Sequence, residues 1–344
     1  MAEFYDISEW QEKRHLQTGG TRNKAIFENP QTGNLYYFKT SLKKEVIDYK
    51  YEFWSEIIAS EIGKALGFNV LRYDIACHKG EIGCISKSMI DTNKNKLSEG
   101  IDYLVGYDPG YNPDSKGSYS QYTFRFIEKA LSEYRLKDKM DCLVKTIIFD
   151  SLIGNGDRHQ ENWGFIVPNI EGVSRDDEKD KNKLLDTVLP KLFWRLKIKK
   201  RERDIIANII KGEFSPIYDS GSCLGRELTD EKVNKMLQNS KMLESYIDRD
   251  KCEIRWEDNK LSHYELINKI RKETEYRGVI ENEIKRVASI FKTEEIEKTV
   301  NNIDLDLPEN LKEQKMPENR KNLIVKLLSL RFERLKDILN EVIG

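Results

Sequence analysis

Net charge is the first thing this sequence lacks: 58 Lys and Arg stand against 59 Asp and Glu, a formal balance of -1 over 344 residues. No global field draws the chain to nucleic acid or to an anionic membrane surface, so any such contact has to be local. Cysteine is scarce as well. Cys77, Cys84, Cys142, Cys223 and Cys252 are odd in number and scattered, with no Cys-x-x-Cys. That excludes the usual spacing of a zinc or dithiol redox site and suits a reducing compartment. No run approaches the roughly 18 apolar residues of a membrane span, and the opening MAEFYDISEW lacks the basic and apolar segments of a cleaved signal. The expectation is a cytoplasmic protein, or one exported without a cleaved signal, with neither membrane nor nucleic acid as a direct partner.

What is present is a globular composition with a heavily charged surface, 38% hydrophobic and 34% charged. The length suffices for one large domain or two lobes, each with its own core. Residues 14 to 90 read as short strands around one helix. The run 25–27, a turn at Pro30-Gln31-Thr32-Gly33-Asn34 and the strand-prone Leu35-Tyr36-Tyr37-Phe38 predict a hairpin. Phe53, Ile57, Ile58, Ile62, Ala65 and Leu66 recur at helical spacing, with Gly67 placed as a stop. Strands are expected over 70–76 and 83–90. The glycines, prolines and tyrosines of 98–118 predict a loop, and the lobe boundary is placed at its start, giving lobes 1–97 and 98–344. Beyond it, helices are expected at 120–134, 137–153, 229–248, 261–272, 276–291 and 320–342, so the second lobe reads as mostly α. No internal repeat is found.

The chemistry concentrates in Gly154-Asn155-Gly156-Asp157-Arg158-His159-Gln160-Glu161-Asn162-Trp163-Gly164-Phe165, between a predicted helix and an apolar strand. Asp157 followed five positions later by Asn162 has the spacing of a kinase catalytic loop. The carboxylate orients an acceptor hydroxyl and takes its proton. The neutral amide oxygen ligates magnesium without adding charge that repels phosphate. Downstream, Ser215-Pro216-Ile217-Tyr218-Asp219-Ser220-Gly221 sets a second metal-binding carboxylate, Asp219, at an expected strand end. His159 either contacts phosphate or hydrogen-bonds within the loop, and Trp163 and Phe165 read as core. Upstream, Thr18-Gly19-Gly20-Thr21-Arg22-Asn23-Lys24 can offer backbone N–H groups to phosphates. Lys39 ends the hairpin where a kinase keeps its phosphate-gripping lysine. Glu56, next to the packed face of the following helix, is favoured as its carboxylate over Glu52 and Glu61. Ser86, on the 83–90 strand, is grouped with the nucleotide contacts.

Gly-Asn-Gly-Asp-Arg-His-x-x-Asn-Trp-Gly-Phe and Ser-Pro-Ile-Tyr-Asp-Ser-Gly-Ser-x-Leu-Gly-Arg-Glu-Leu together resemble the HipA-like serine/threonine kinases. The helix around Glu56 and the stretches Ile254-Arg255-Trp256 and Leu261-Ser262-His263-Tyr264-Glu265-Leu266 look like the same family. The resemblance covers roughly residues 15 to 290. It implies an α+β, bilobal protein-kinase-like fold with a small β-rich N-lobe and a mostly α-helical C-lobe. It also implies ATP and Mg2+ as cofactors, transfer to a protein Ser/Thr hydroxyl, and an antitoxin protein as a further partner of a bacterial toxin or effector. Asp157 is then the catalytic base, Asn162 and Asp219 the metal ligands, and Lys39 the phosphate lysine.

Three departures stand beside this. The chain reaches its glycine-rich loop within about twenty residues, as in short family members without the amino-terminal subdomain. An insertion at about 170–212 separates the two metal-ligand segments. It carries a charge-rich start, 171–183, and a basic aromatic stretch, 193–201, that reads as a solvated helix or as a docking site for an acidic partner or RNA. Thr18 and Thr21 lie where family members carry an autophosphorylated serine, which implies either self-inactivation or simple turn hydrogen bonds. The alternatives to a protein kinase are a lipid or small-molecule kinase of the phosphatidylinositol-kinase type and a non-catalytic nucleotide-binding module.

Overall fold

The computed structural model describes residues 1–14, 24–43, 49–169 and 212–341. The loop residues Thr18, Gly19, Gly20, Thr21, Arg22 and Asn23 and the insertion residues 170–211 lie outside them.

The N-terminal part is built on strands β1 (Phe4–Asp6), β2 (Gln11–Glu12), β3 (Lys24–Glu28), β4 (Leu35–Lys39), β5 (Asp74–His78) and β6 (Glu81–Lys87), in the order β1-β5-β6-β4-β3-β2. All neighbours are antiparallel except β1 with β5. Side chains alternate across a strand, so Ile75, Cys77 and Cys84 join the main core on one face. Ala76 and Ile85 instead join a small cluster with Ile7, Phe27 and Phe38 on the other. The first face is covered by helix α1 (Glu52–Ala65), nearly all of it buried. It ends where Gly67 takes φ +72° and its N–H reaches back to the Lys64 carbonyl.

The hairpin and α1 follow the sequence expectation. β1 and β2 escape it because strands of two or three residues carry too little periodicity. The expected strand 70–76 starts late, as β5; Val70 makes only an isolated bridge with Ile217.

A second sheet, β7-β8-β9, joins Asn95–Glu99 (β7), Gly164–Pro168 (β8) and Glu213–Phe214 (β9), all antiparallel. The loop expected over 98–118 is corrected here: its start belongs to β7, and Gly100–Tyr107 forms helix α2, with Tyr103 and Leu104 buried. Tertiary packing overrides local glycine content at this point. Helix α3 (Phe124–Glu133) starts on a Thr123 cap, and α4 (Met140–Ile153) forms the centre of the helical part.

The single helix expected over 229–248 is two, α5 (Asp230–Gln238) and α6 (Ser240–Arg249). Asn239 breaks the chain by capping the second through Met242 N–H. α7 (His263–Glu273) opens on a Ser262–Glu265 capping box. There follow α8 (Arg277–Ile290), an unexpected α9 (Thr293–Asn301) and the long α10 (Glu318–Asn340). Helices α7, α8 and α10 all pack on α4.

One continuous core runs from α1 through these helices, so the two lobes do not have wholly separate interiors. Among the described residues, no helix is long and apolar enough to cross a membrane.

Candidate active site

Lys39 is the last residue of β4, held in register with Lys24 on one side and Cys84 on the other. Its ammonium lies 3.1 Å from Glu56 Oε1 and 2.9 Å from Asp219 Oδ1. The competitors for the lysine are placed elsewhere: Glu52 pairs with Arg226, and Glu61 lies 3.4 Å from the terminal amine. Burial works against the lysine charge, but Glu56, Tyr73 and Asp219 outweigh it and hold the ammonium well above its ordinary range. Burial pushes the Glu56 carboxyl up. Lys39 opposes that shift and Asp219 reinforces it, because two carboxylates compete for one cation. Glu56 Oε2 also accepts the Ser220 N–H at 2.9 Å, which ties α1 to the segment carrying Asp219.

Asp219 is not at a strand end. β9 stops at Phe214, and Asp219 lies beyond an isolated bridge at Ile217 with φ +54°. A non-glycine residue in that region costs of order 1–3 kcal/mol and persists only where its surroundings hold it. Here the Lys39 contact and the Tyr73 hydroxyl, 3.3 Å from Asp219 N, do so.

The loop carrying Asp157 begins where α4 ends. Gly154 caps the helix at φ +68°, its N–H on the Asp150 carbonyl. A Cβ there would meet the Arg331 guanidinium at 2.0 Å, so this glycine is required by both conformation and space. Asp157 N donates to Asn155 Oδ1 at 3.3 Å, and the Asn162 amide nitrogen donates to the Asp157 carbonyl at 2.8 Å. Asn162 Oδ1 is thereby the amide atom with capacity for a cation. His159 Nδ1 accepts the Glu161 N–H at 3.3 Å, a bond within the loop. Trp163 and Phe165 are core, as expected.

Sequence reasoning passed over the residue that holds this loop together. Arg158 is buried, and its five N–H groups find five acceptors: both Asp150 oxygens (2.9 and 2.8 Å), the carbonyls of Asn162 (2.7 Å) and Tyr218 (2.6 Å), and Ser220 Oγ (3.3 Å). Burial opposes the charge, and Asp150 more than restores it. One guanidinium thus joins α4, Asn162 and the two neighbours of Asp219. The available signal was Asp150, a carboxylate within the apolar run of α4, eight positions before an arginine. Ser222, whose hydroxyl donates to Asp157 Oδ2 at 3.0 Å, was also passed over.

A cavity of about 170 Å³ adjoins Lys39. Leu71, Met89, Ile90 and Leu97 supply apolar wall, and Lys24, Ser86, Tyr73 and Glu99 supply polar groups. The structure thus brings together Lys24, Lys39 and Ser86 at one cleft, and Asp157 and Asn162 in one loop that Arg158 ties to the Asp219 segment. Among the described residues, no group of three or more His, Cys, Asp or Glu side chains could hold a metal. A carboxylate and an amide oxygen, as Asp219 and Asn162 offer, are oxygen donors of the type that magnesium takes.

No protein-family model and no curated protein sequence matches this chain. Solved structures do. The Helicobacter pylori proinflammatory kinase CtkA is 18% identical, with 97% of this chain and 95% of that one covered at a TM-score of 0.68. HipA, from the Shewanella oneidensis MR-1 toxin–antitoxin complex of HipA, HipB and operator DNA, is 12% identical, with 98% and 68% covered at 0.45. The chain therefore has a protein-kinase-like fold, α+β with a small β-rich lobe and a mostly helical one, similar over nearly its whole length to that of the CtkA kinase.

Proposed function

We propose that this protein is an ATP- and magnesium-dependent kinase that transfers the γ-phosphoryl group to a serine or threonine hydroxyl of another protein. The observation that carries the reading is the meeting of Lys39 with Glu56 and Asp219, residues from β4, α1 and a loop 180 positions away. Phosphoryl transfer asks a protein mainly for positioning and charge neutralisation, and that cluster is suited to both. Lys39 grips the α and β phosphates while Glu56 keeps its ammonium aimed. Lys24 and Ser86 border the same cleft. The acceptor oxygen forms its bond to the γ-phosphorus as the bond to the ADP oxygen breaks, and the acceptor's proton passes to Asp157. Asn162 Oδ1 and Asp219 would hold magnesium, which when bound would neutralise charge on the polyphosphate.

Two measurements test this. Purified protein with γ-labelled ATP and magnesium should place label on itself or on dephosphorylated casein, and Asp157→Ala should abolish the transfer. Calorimetry with a non-hydrolysable ATP analogue should show magnesium-dependent binding that Asp219→Ala removes. Magnesium-dependent affinity left intact in that variant would overturn the metal assignment.

A further inference from the structure

Ser222 and Arg226 have no part in the transfer as proposed, yet they form an unbroken line of contacts from α1 to Asp157. Ser222 Oγ lies 3.0 Å from Asp157 Oδ2, and Arg226 Nη2 lies 3.0 Å from the same Oγ. The other arm of the guanidinium pairs with Glu52, and its Cζ lies 4.1 Å from the centre of the Tyr49 ring. Glu52 is buried and accepts the Leu42 N–H through its second oxygen at 3.0 Å.

The proton positions follow from chemistry. A guanidinium only donates, so Ser222 must accept from Arg226, and the single hydroxyl proton is then directed at Asp157. The turn that makes this possible is itself held against strain. Leu224 takes φ +54° without being glycine, and the Cys223 carbonyl is pinned by Ser55 Oγ of α1 at 3.2 Å.

We infer that Ser222 and Arg226 are positioning residues for the phosphoryl transfer: Arg226, anchored on Glu52, orients the Ser222 hydroxyl, which holds Asp157 Oδ2 and so turns Oδ1 to the incoming acceptor hydroxyl. The inference rests on the kinase reading and adds to it that α1 sets two elements of the site at once. Glu56 aims Lys39, and Glu52, one helical turn earlier, aims Asp157 through Arg226 and Ser222.

The test is single-turnover transfer of label from γ-labelled ATP, with casein as the probe acceptor, alongside analogue affinity by calorimetry and melting temperature. Ser222→Ala should lower the transfer rate on the order of tenfold to a hundredfold, the effect of a misplaced catalytic group, with analogue affinity unchanged. Ser222→Thr, which keeps the hydroxyl, should restore the rate. Arg226→Lys, which keeps a charge beside Glu52 but not the fork, should slow transfer without lowering the melting temperature. Adding it to Ser222→Ala should cost nothing further, since both act along one line.

An active wild type with an equally active Ser222→Ala variant would overturn the inference and leave the kinase reading standing. So would additive losses in the double variant, or phosphate found on Ser222 itself, which would make it an acceptor. A wild type that binds the analogue but transfers no label would overturn the kinase reading and the inference together.

Discussion

Two buried cations in this molecule, Arg158 and Lys39, lie close to the same functional loops and are treated by the fold in opposite ways. Arg158 has one carboxylate partner, Asp150, and every one of its donors meets a fixed protein acceptor. Its charge is balanced and its hydrogen bonds are saturated, so no capacity is left for a ligand. Lys39 faces two carboxylates, Glu56 and Asp219, and borders a cavity. Burial pushes the Glu56 carboxyl up, with Asp219 reinforcing the shift and Lys39 opposing it. A saturated, neutral cluster serves as scaffold. A cluster of buried groups with shifted ionisation beside an opening is where chemistry is to be sought.

The sharpest way to break this comparison is Arg158→Met. Removing one partner of a buried pair leaves Asp150 uncompensated, a loss of about 3–5 kcal/mol, and frees Asn162 and the Asp219 segment from their common anchor. Urea unfolding should show that loss of stability, with activity lost alongside it. Lys39→Met should do the reverse. Transfer falls roughly 10²–10³-fold, as when one preorganised donor to developing charge is removed. The unfolding midpoint moves far less, because Glu56 and Asp219 can then share a proton. If the two variants unfold alike, the distinction between scaffold and site fails.

A smaller effect is expected at the hinge between α4 and the loop. Gly154→Ala combines a positive φ with a clash against a fully buried guanidinium. It should cost more than about 1 kcal/mol, read as a lowered melting temperature with slowed transfer.

The smallest effect concerns His263, at the start of α7. Its Nε2 lies 3.0 Å from the Asn155 carbonyl and therefore donates. Burial pulls its pKa below the ordinary 6.5, so the folded protein keeps the ring neutral where the unfolded chain takes up a proton. With more protons bound in the unfolded state, stability rises with pH. This contribution is complete above about pH 6.5 and is lost as the pH falls below it. His263→Gln, which retains an N–H donor, should flatten the dependence between pH 5 and 7 in urea titrations relative to wild type.

Much of the molecule could be read from its residues alone, for reasons that are local. The hairpin of β3 and β4, the apolar face of α1 and the run of C-terminal helices announce themselves by periodicity and turn chemistry. The Asp157 to Asn162 spacing and the Asp219 segment are short motifs, each contained in a few adjacent residues, so they too were visible. The choice among Glu52, Glu56 and Glu61 was not fully decided by their order in α1. Which carboxylate meets Lys39 depends on how that helix is rotated against β4 and β6, and Glu56 wins because it alone also meets the Ser220 N–H. Helix α2, the break at Asn239 and the left-handed backbone at Asp219 are likewise set by contacts from distant parts of the chain. The same holds for Arg158 and Ser222: their partners lie 60 to 65 residues away in part, and a hydrogen bond across that separation leaves no period in the sequence, so only the packed structure decides it.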